Sequence, residues 1–403
     1  MLLVMIMVYR KIRLNEYILV IFALFTFLKP AGFDFLGFDA INLFLNIARI
    51  ITAVVTIFVY FKYFSGISKF IKYEIGFFVV LGLSTLFNDS DVNRFFIFSI
   101  SVISLSMLLE ILIKRNVILL VKSLFFCYFV IISINLLYML STFGFVINIE
   151  GKIPELFKMG IPVSLLSSVN GTASFLFPAL VSSVLLFSVS DVKNKWGWLL
   201  ILNIFVTVLI LWSATSLTGV FLIICYILFV YRKKNEKKIN TFILAITTIV
   251  VSLGITFFNI QYLFSYIIVN ILQKDLTMTG RTNVWKIGQK GFESSPLIGC
   301  GFDSQTIDNG YIQLLFNSGC IGLIFFSVLM IWILIKCKRY NNISLTKFMT
   351  LCLSIVFLMF TSESWPFFSG IYILFLLAYY SVEISKKIST IKYYFNHINN
   401  ETN

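Results

Sequence analysis

Runs of roughly 20 residues without charge recur from one end of the chain to the other. Hydrocarbon offers no partner for a backbone amide, so runs of this kind cross a bilayer as helices or do not cross it. Twelve apolar segments can be read, at about 17–28, 40–61, 75–88, 95–113, 117–140, 172–190, 196–212, 217–231, 240–263, 311–335, 348–361 and 366–384. The third and eleventh are short and extend into polar flanks. The expected fold is an all-α integral membrane protein, with residues 1–403 forming one polytopic domain. No separate soluble domain and no internal repeat is visible.

Composition agrees with this reading. Of the 403 residues, 59% are hydrophobic and only 12% are charged. An ordinary soluble domain carries about 25% charged residues, and a disordered chain needs low hydrophobicity. The net charge of +14 would suggest nucleic acid on a soluble protein. Here it reports orientation. With the N-terminus in the cytoplasm, 22 of the 32 Lys and Arg residues fall on inner segments and eight on outer loops. The other two, Arg49 and Lys122, lie within spans. Inner positions include Arg10, Lys62, Arg115, Arg232, Lys338 and Lys387, with Glu16, Glu74 and Glu110 among their acids. By the positive-inside rule both termini are cytoplasmic. The surplus also draws the inner side to anionic lipid, and no nucleic-acid partner is expected.

Cysteine and histidine narrow the chemistry. The six cysteines are scattered without a CxxC pair, which argues against a disulfide framework or a zinc site. The single histidine, His397, lies in the polar C-terminal tail. Met1–Val8 is too short to span, and no cleavable signal peptide is expected.

Two outer loops are long, about 141–171 and 264–310. Long loops on one face of an apolar bundle are where function is expected. The second loop contains a helix starting near Thr279 or Thr282. Val284, Trp285, Ile287, Gly288, Gly291 and Phe292 share its apolar face, and Lys286 and Lys290 lie opposite. Such a helix suits the membrane interface, with Trp285 among the headgroups. Pro296 ends it. Gly299 and Gly301 allow a tight turn or a close approach to a ligand. Asp308 and Asn309 then stand at the mouth of the next span, where Asp308 can cap the helix.

From Gly280 onward the order is Gly-Arg, a Trp four residues after the Arg, Pro-Leu-x-Gly-x-Gly, Asp-Asn-x-Tyr and Gly-x-x-Gly-Leu. The matching residues are Gly280, Arg281, Trp285, Pro296, Leu297, Gly299, Gly301, Asp308, Asn309, Tyr311, Gly319, Gly322 and Leu323. This order resembles the large outer loop of the O-antigen polymerase and O-antigen ligase family, which includes capsular polysaccharide polymerases. The motif covers about 45 residues; elsewhere the resemblance is one of topology. It implies a GT-C-like polytopic bundle in a bacterial plasma membrane, with the active face outward. The sequence also departs from the family. Ligases carry His-Asn where Asp308-Asn309 stands, which favours a polymerase. No arginine lies between Ser141 and Gly171, and Leu217 stands where many relatives have arginine.

The resemblance implies substrates that are oligosaccharides on polyprenyl diphosphate. A hydroxyl of one attacks the anomeric carbon of another, and polyprenyl diphosphate leaves. No metal and no other cofactor are expected. A flippase and a chain-length regulator of the same pathway are expected partners, besides membrane lipid. The chemistry asks for cations on the diphosphate, and arginine holds phosphate oxygens in a fork. Arg281 leads because it lies within the motif. Arg94 follows, with a salt bridge to Asp89 or Asp91 as its alternative. Arg49 is a candidate because intramembrane charge is costly, and a structural pair is its alternative. Asp308 is the expected base. Asn309 and Glu363 are expected to bind substrate, although Glu363 can instead pair with an arginine. Trp285, Tyr311 and Trp365 can stack on sugar rings or anchor at the interface. A ligase, or a flippase or transporter of lipid-linked sugars, remains an alternative.

Overall fold

A computed structural model of the chain describes residues 14–34, 36–142, 164–168, 171–190, 194–211, 213–231, 240–266, 281–302, 306–363 and 368–401. Among these residues there are thirteen α-helices and no strand. The helices are α1 (Leu14–Phe27), α2 (Asp39–Tyr63), α3 (Lys69–Phe87), α4 (Val92–Arg115), α5 (Val117–Ser141), α6 (Ala173–Val189) and α7 (Lys195–Leu211). They continue with α8 (Ala214–Tyr226), α9 (Thr241–Phe258), α10 (Arg281–Ser294), α11 (Gly310–Arg339), α12 (Ser344–Met359) and α13 (Ser369–Glu401).

Each of the twelve apolar segments lies on one of these helices, and α10 is the additional one. Six helices are long and apolar enough to cross a membrane: α2, α3, α4, α5, α9 and α11. Shorter apolar helices accompany them. The fold is that of a helical membrane protein. Its helix starts are set by side chains that accept the first free amides. Ser68 accepts from the Ile71 amide, Asn116 from Leu119 and Asn240 from Ile243. The Ser68 cap lets α3 begin well before its apolar segment and take in Lys69, Lys72 and Glu74.

Residue contacts divide the chain into two compact units. The first comprises Met1–Tyr63, Met107–Lys233 and Val382–Asn403; the second comprises Phe64–Ser106 and Lys234–Ser381. In the first, α5 packs on α1 and α6, α1 on α2, and α6 on α7. In the second, α3 packs on α11, α9 on α12, and α10 on α11. Two acids read as inner-face charges are interior. Glu74 is buried in the second unit and accepts from the Ser106 hydroxyl at 2.8 Å. Glu110 is buried in the first and engages Lys114 and Tyr60. A carboxylate in an apolar interior costs too much to stay unpartnered, and both are held by donors.

Most of the first long loop, with Lys152 and Lys158, lies outside the described residues, as do Gly280, Asp303 and Trp365. The described end of that loop docks in the first unit. Asn135 Oδ1 accepts from the Leu165 amide at 2.8 Å and the Ser164 hydroxyl at 3.0 Å. The Ala31 and Gly32 amides donate to the carbonyls of Leu166 and Leu165.

Candidate functional site

The motif folds as one piece of the second unit, built around a break in α11. Gly319 has φ 60° and ψ −165°, so the helix stops and restarts there. A broken helix in an apolar interior leaves amides and carbonyls that need new partners. The segment Pro296–Gly301 supplies them. The Cys320 amide donates to the Pro296 carbonyl at 2.9 Å, and the Ile321 amide to the Leu297 carbonyl at 3.2 Å. In the other direction the Cys300 amide donates to the Phe316 carbonyl at 2.6 Å, and the Gly301 amide to the Asn317 carbonyl at 3.2 Å. The far side of the segment is tied to α3 and the turn after it. Asn88 Nδ2 donates to the Gly299 carbonyl, and the Ser90 hydroxyl to the Cys300 carbonyl, both at 3.0 Å.

This geometry explains two motif glycines. A Cβ on Gly299, at φ +78°, would stand 2.6 Å from the backbone of Asn317 and Ser318. One on Gly319 would stand 2.3 Å from the Leu297 carbonyl oxygen. The close approach these glycines permit is between the Pro296–Gly301 segment and α11.

Helix α10 lies on the first half of α11. Gly288 and Gly291 let it approach Ile312, Ile307 and Phe316. Trp285 packs with Ile307, Ile312 and Phe316 and is only 3% exposed. Its indole N–H donates to the Asp308 carbonyl at 3.2 Å. The expected roles of Trp285, sugar stacking and interfacial anchoring, therefore give way to a core role. Ile287, expected on the buried face, is exposed.

The cap of α11 is also shifted from expectation. Asn309 caps it, not Asp308. Its Oδ1 accepts from the amides of Tyr311 and Ile312 at 3.0 and 3.1 Å. Its Nδ2 donates to Thr256 of α9 at 3.1 Å and to the Thr361 carbonyl at 3.3 Å. Asn309 is fully buried, and all four hydrogen-bonding positions of its amide are in use. That leaves nothing for the substrate contact expected of it. Tyr311 is likewise interior. Its hydroxyl donates to the Phe357 carbonyl at 3.0 Å, and its ring meets Phe360 edge-on. Neither of its expected roles, stacking on a sugar or anchoring at the interface, fits that position.

These locks bring three charged side chains together. Arg281 opens α10, Asp308 precedes α11, and Glu363 follows α12. Arg281 Nη2 lies 3.6 Å from Glu363 Oε1, with side chains 19% and 9% exposed. The pairing reading of Glu363 therefore applies. Its Oε1 has no hydrogen-bond partner. Burial pushes the Glu363 carboxyl up to about 8, against the pull of Arg281 and with the help of the Asp308 charge. Asp308 itself is exposed.

Two other candidates have different settings. Arg94 Nε lies 3.7 Å from Asp91 with its side chain 69% exposed, which is its salt-bridge alternative. Arg49 belongs to the first unit, where its Nε donates to the Thr26 carbonyl at 3.0 Å. Nearby, Lys29 is held by Asp34 at 2.6 Å and by Asn42 and Asn46. The Gln313–Asn317 pair, bonded at 2.7 Å inside α11, had no signal in the sequence beyond two amides at i, i+4. Comparison with protein-family models, curated proteins and solved structures returned no match.

Proposed function

We propose that this chain is a polysaccharide polymerase of the bacterial plasma membrane, a metal-independent membrane glycosyltransferase acting at the outer face. The observation that carries the proposal is the convergence of Arg281, Asp308 and Glu363, from three separated stretches, around a motif resembling that of the O-antigen polymerases. Arg281 grips the polyprenyl diphosphate of one lipid-linked oligosaccharide and offsets the charge that develops as it leaves. A hydroxyl of a second lipid-linked unit forms the new bond to the anomeric carbon. The carbon–oxygen bond to the diphosphate breaks, and the electron pair leaves with it. The hydroxyl proton needs an acceptor. Glu363 holds its own proton at neutral pH, so Asp308 is the carboxylate that accepts. Glu363 orients Arg281. A flippase and a chain-length regulator would act beside it.

One observation favours a transporter of lipid-linked sugar instead, namely the broken helix α11, since transporters build sites at such breaks. Against it, the four backbone groups named at this break already bond to the Pro296–Gly301 segment. The test is purified protein supplied with lipid-linked repeat units. Longer lipid-linked products support the polymerase. Movement of the units across vesicle membranes without chain growth would establish the transporter, and transfer to a different acceptor the ligase.

A further inference from the structure

A cavity of about 740 Å³ lies wholly within the first unit, walled by α1, α2, the last turns of α4 and the start of α5. Ligand pockets occupy roughly 300–1,000 Å³. Its walls are mainly aliphatic, and Leu19, Ile51 and Val55 on its rim are themselves exposed. It thus opens sideways through apolar surface, which a bilayer covers with acyl chains. Along α2 it runs from Ile51 to Tyr63. Twelve helical steps make about 18 Å, close to the roughly 15 Å of one hydrocarbon leaflet.

One end of the groove is polar. Arg115, the last residue of α4, lies over the Tyr63 ring, its guanidinium carbon 3.5 Å from the ring centre. Among the described residues its guanidinium has no hydrogen-bond acceptor and no carboxylate partner. Glu16, at the start of α1, lines the same end and is exposed. Asn116, which also lines this end, is committed to capping α5. A cation with its fork unused, an acid lining the same groove, and an apolar trough one leaflet long match one kind of molecule. We infer that this groove holds a glycerophospholipid of the cytoplasmic leaflet, with its phosphodiester on Arg115 and the ammonium or hydroxyl of its headgroup facing Glu16. The leaflet follows from the charge asymmetry of the chain, which places this end inside. The inference rests on the membrane fold and its orientation, and stands whether or not the chain is a polymerase.

The test uses the full-length protein in detergent, stripped of lipid. It is offered phosphatidylethanolamine, phosphatidylglycerol or diacylglycerol with matching chains, and retained lipid is counted by native mass spectrometry. Wild type should keep one phospholipid and release diacylglycerol. Arg115→Ala should reduce retention about tenfold. Val55→Trp fills the trough at an exposed position and should do the same, so the test stands if either variant folds poorly. Glu16→Ala should weaken phosphatidylethanolamine more than phosphatidylglycerol. Equal retention by wild type and both disabled variants, diacylglycerol held as firmly as phospholipid, or no lipid on wild type would overturn the inference.

Discussion

Glu363 is a carboxyl shielded from water, with an arginine drawing its proton off and an aspartate pressing it back. Burial wins, and its pKa rises from 4.5 to about 8. A carboxyl whose folded pKa exceeds its unfolded one favours the fold in its protonated form. That contribution is complete below pH about 4.5 and is lost as pH climbs through about 8. Thermal unfolding in detergent should therefore show wild type losing stability across this window. Glu363→Gln, which keeps the protonated shape, should lose less; parallel curves for the two proteins would refute the assignment. Arg281 has a different task, offsetting the charge on the leaving diphosphate. Arg281→Ala should slow chain growth by about 100-fold, with the protein still present in the membrane. Arg281→Lys should recover little, because a point charge does not reproduce the guanidinium fork. Normal polymer length from both variants would remove Arg281 from the mechanism.

Among the elements, the break in α11 is the most sensitive to substitution. Gly299 combines φ +78° with a Cβ position 2.6 Å from neighbouring backbone. Backbone strain and overpacking each cost about 1–3 kcal/mol. Gly299→Ala should accordingly destabilise the protein by about 2–6 kcal/mol in denaturant or thermal unfolding. Gly66 has nothing within 4 Å of its Cβ position and no positive φ, so Gly66→Ala serves as the control and should be close to neutral. Similar effects at the two sites would mean that the helix break is not locked as described. Here the limits of sequence reading become visible. Gly-x-G after a proline announces a turn through local conformation alone. That the turn repairs a broken helix depends on Gly319, and a glycine within an apolar run gives no sign of breaking its helix. Trp285 and Tyr311 failed for a related reason. An aromatic ring with a polar tip suits an interface or a core equally well, and only the partner helix decides. Asp308 and Asn309 are adjacent and both make good caps. A shift of one residue, which periodicity does not resolve, gave the cap to Asn309 and left the carboxylate exposed.

For the whole molecule, the strong signals were those that sum over many residues. Every apolar segment became a helix because a long uncharged run has no other way to satisfy its backbone in lipid. Arg281, Asp308 and Glu363 could be listed as candidates, but their meeting could not be foreseen, since it depends on packing among α9, α10, α11 and α12. Orientation is the remaining global property, and it rests on the distribution of 32 cations. Topology follows Lys and Arg near span ends, and acidic residues contribute little. The turn between α3 and α4 should then face outward, and the turn between α11 and α12 inward. Asn93, in the first turn of α4 beside the former, and Asn342 in the latter are both exposed and suit labelling. In a background with the six native cysteines replaced, an impermeant maleimide added to intact cells should label Asn93→Cys. Asn342→Cys should react only after the membrane is opened. The reverse pattern would invert the chain, place Arg281 and Asp308 on the cytoplasmic side, and exclude a polymerase working on substrate at the outer face. It would also move the Arg115 end of the lipid groove to the outer leaflet, so a single labelling experiment bears on both proposals at once.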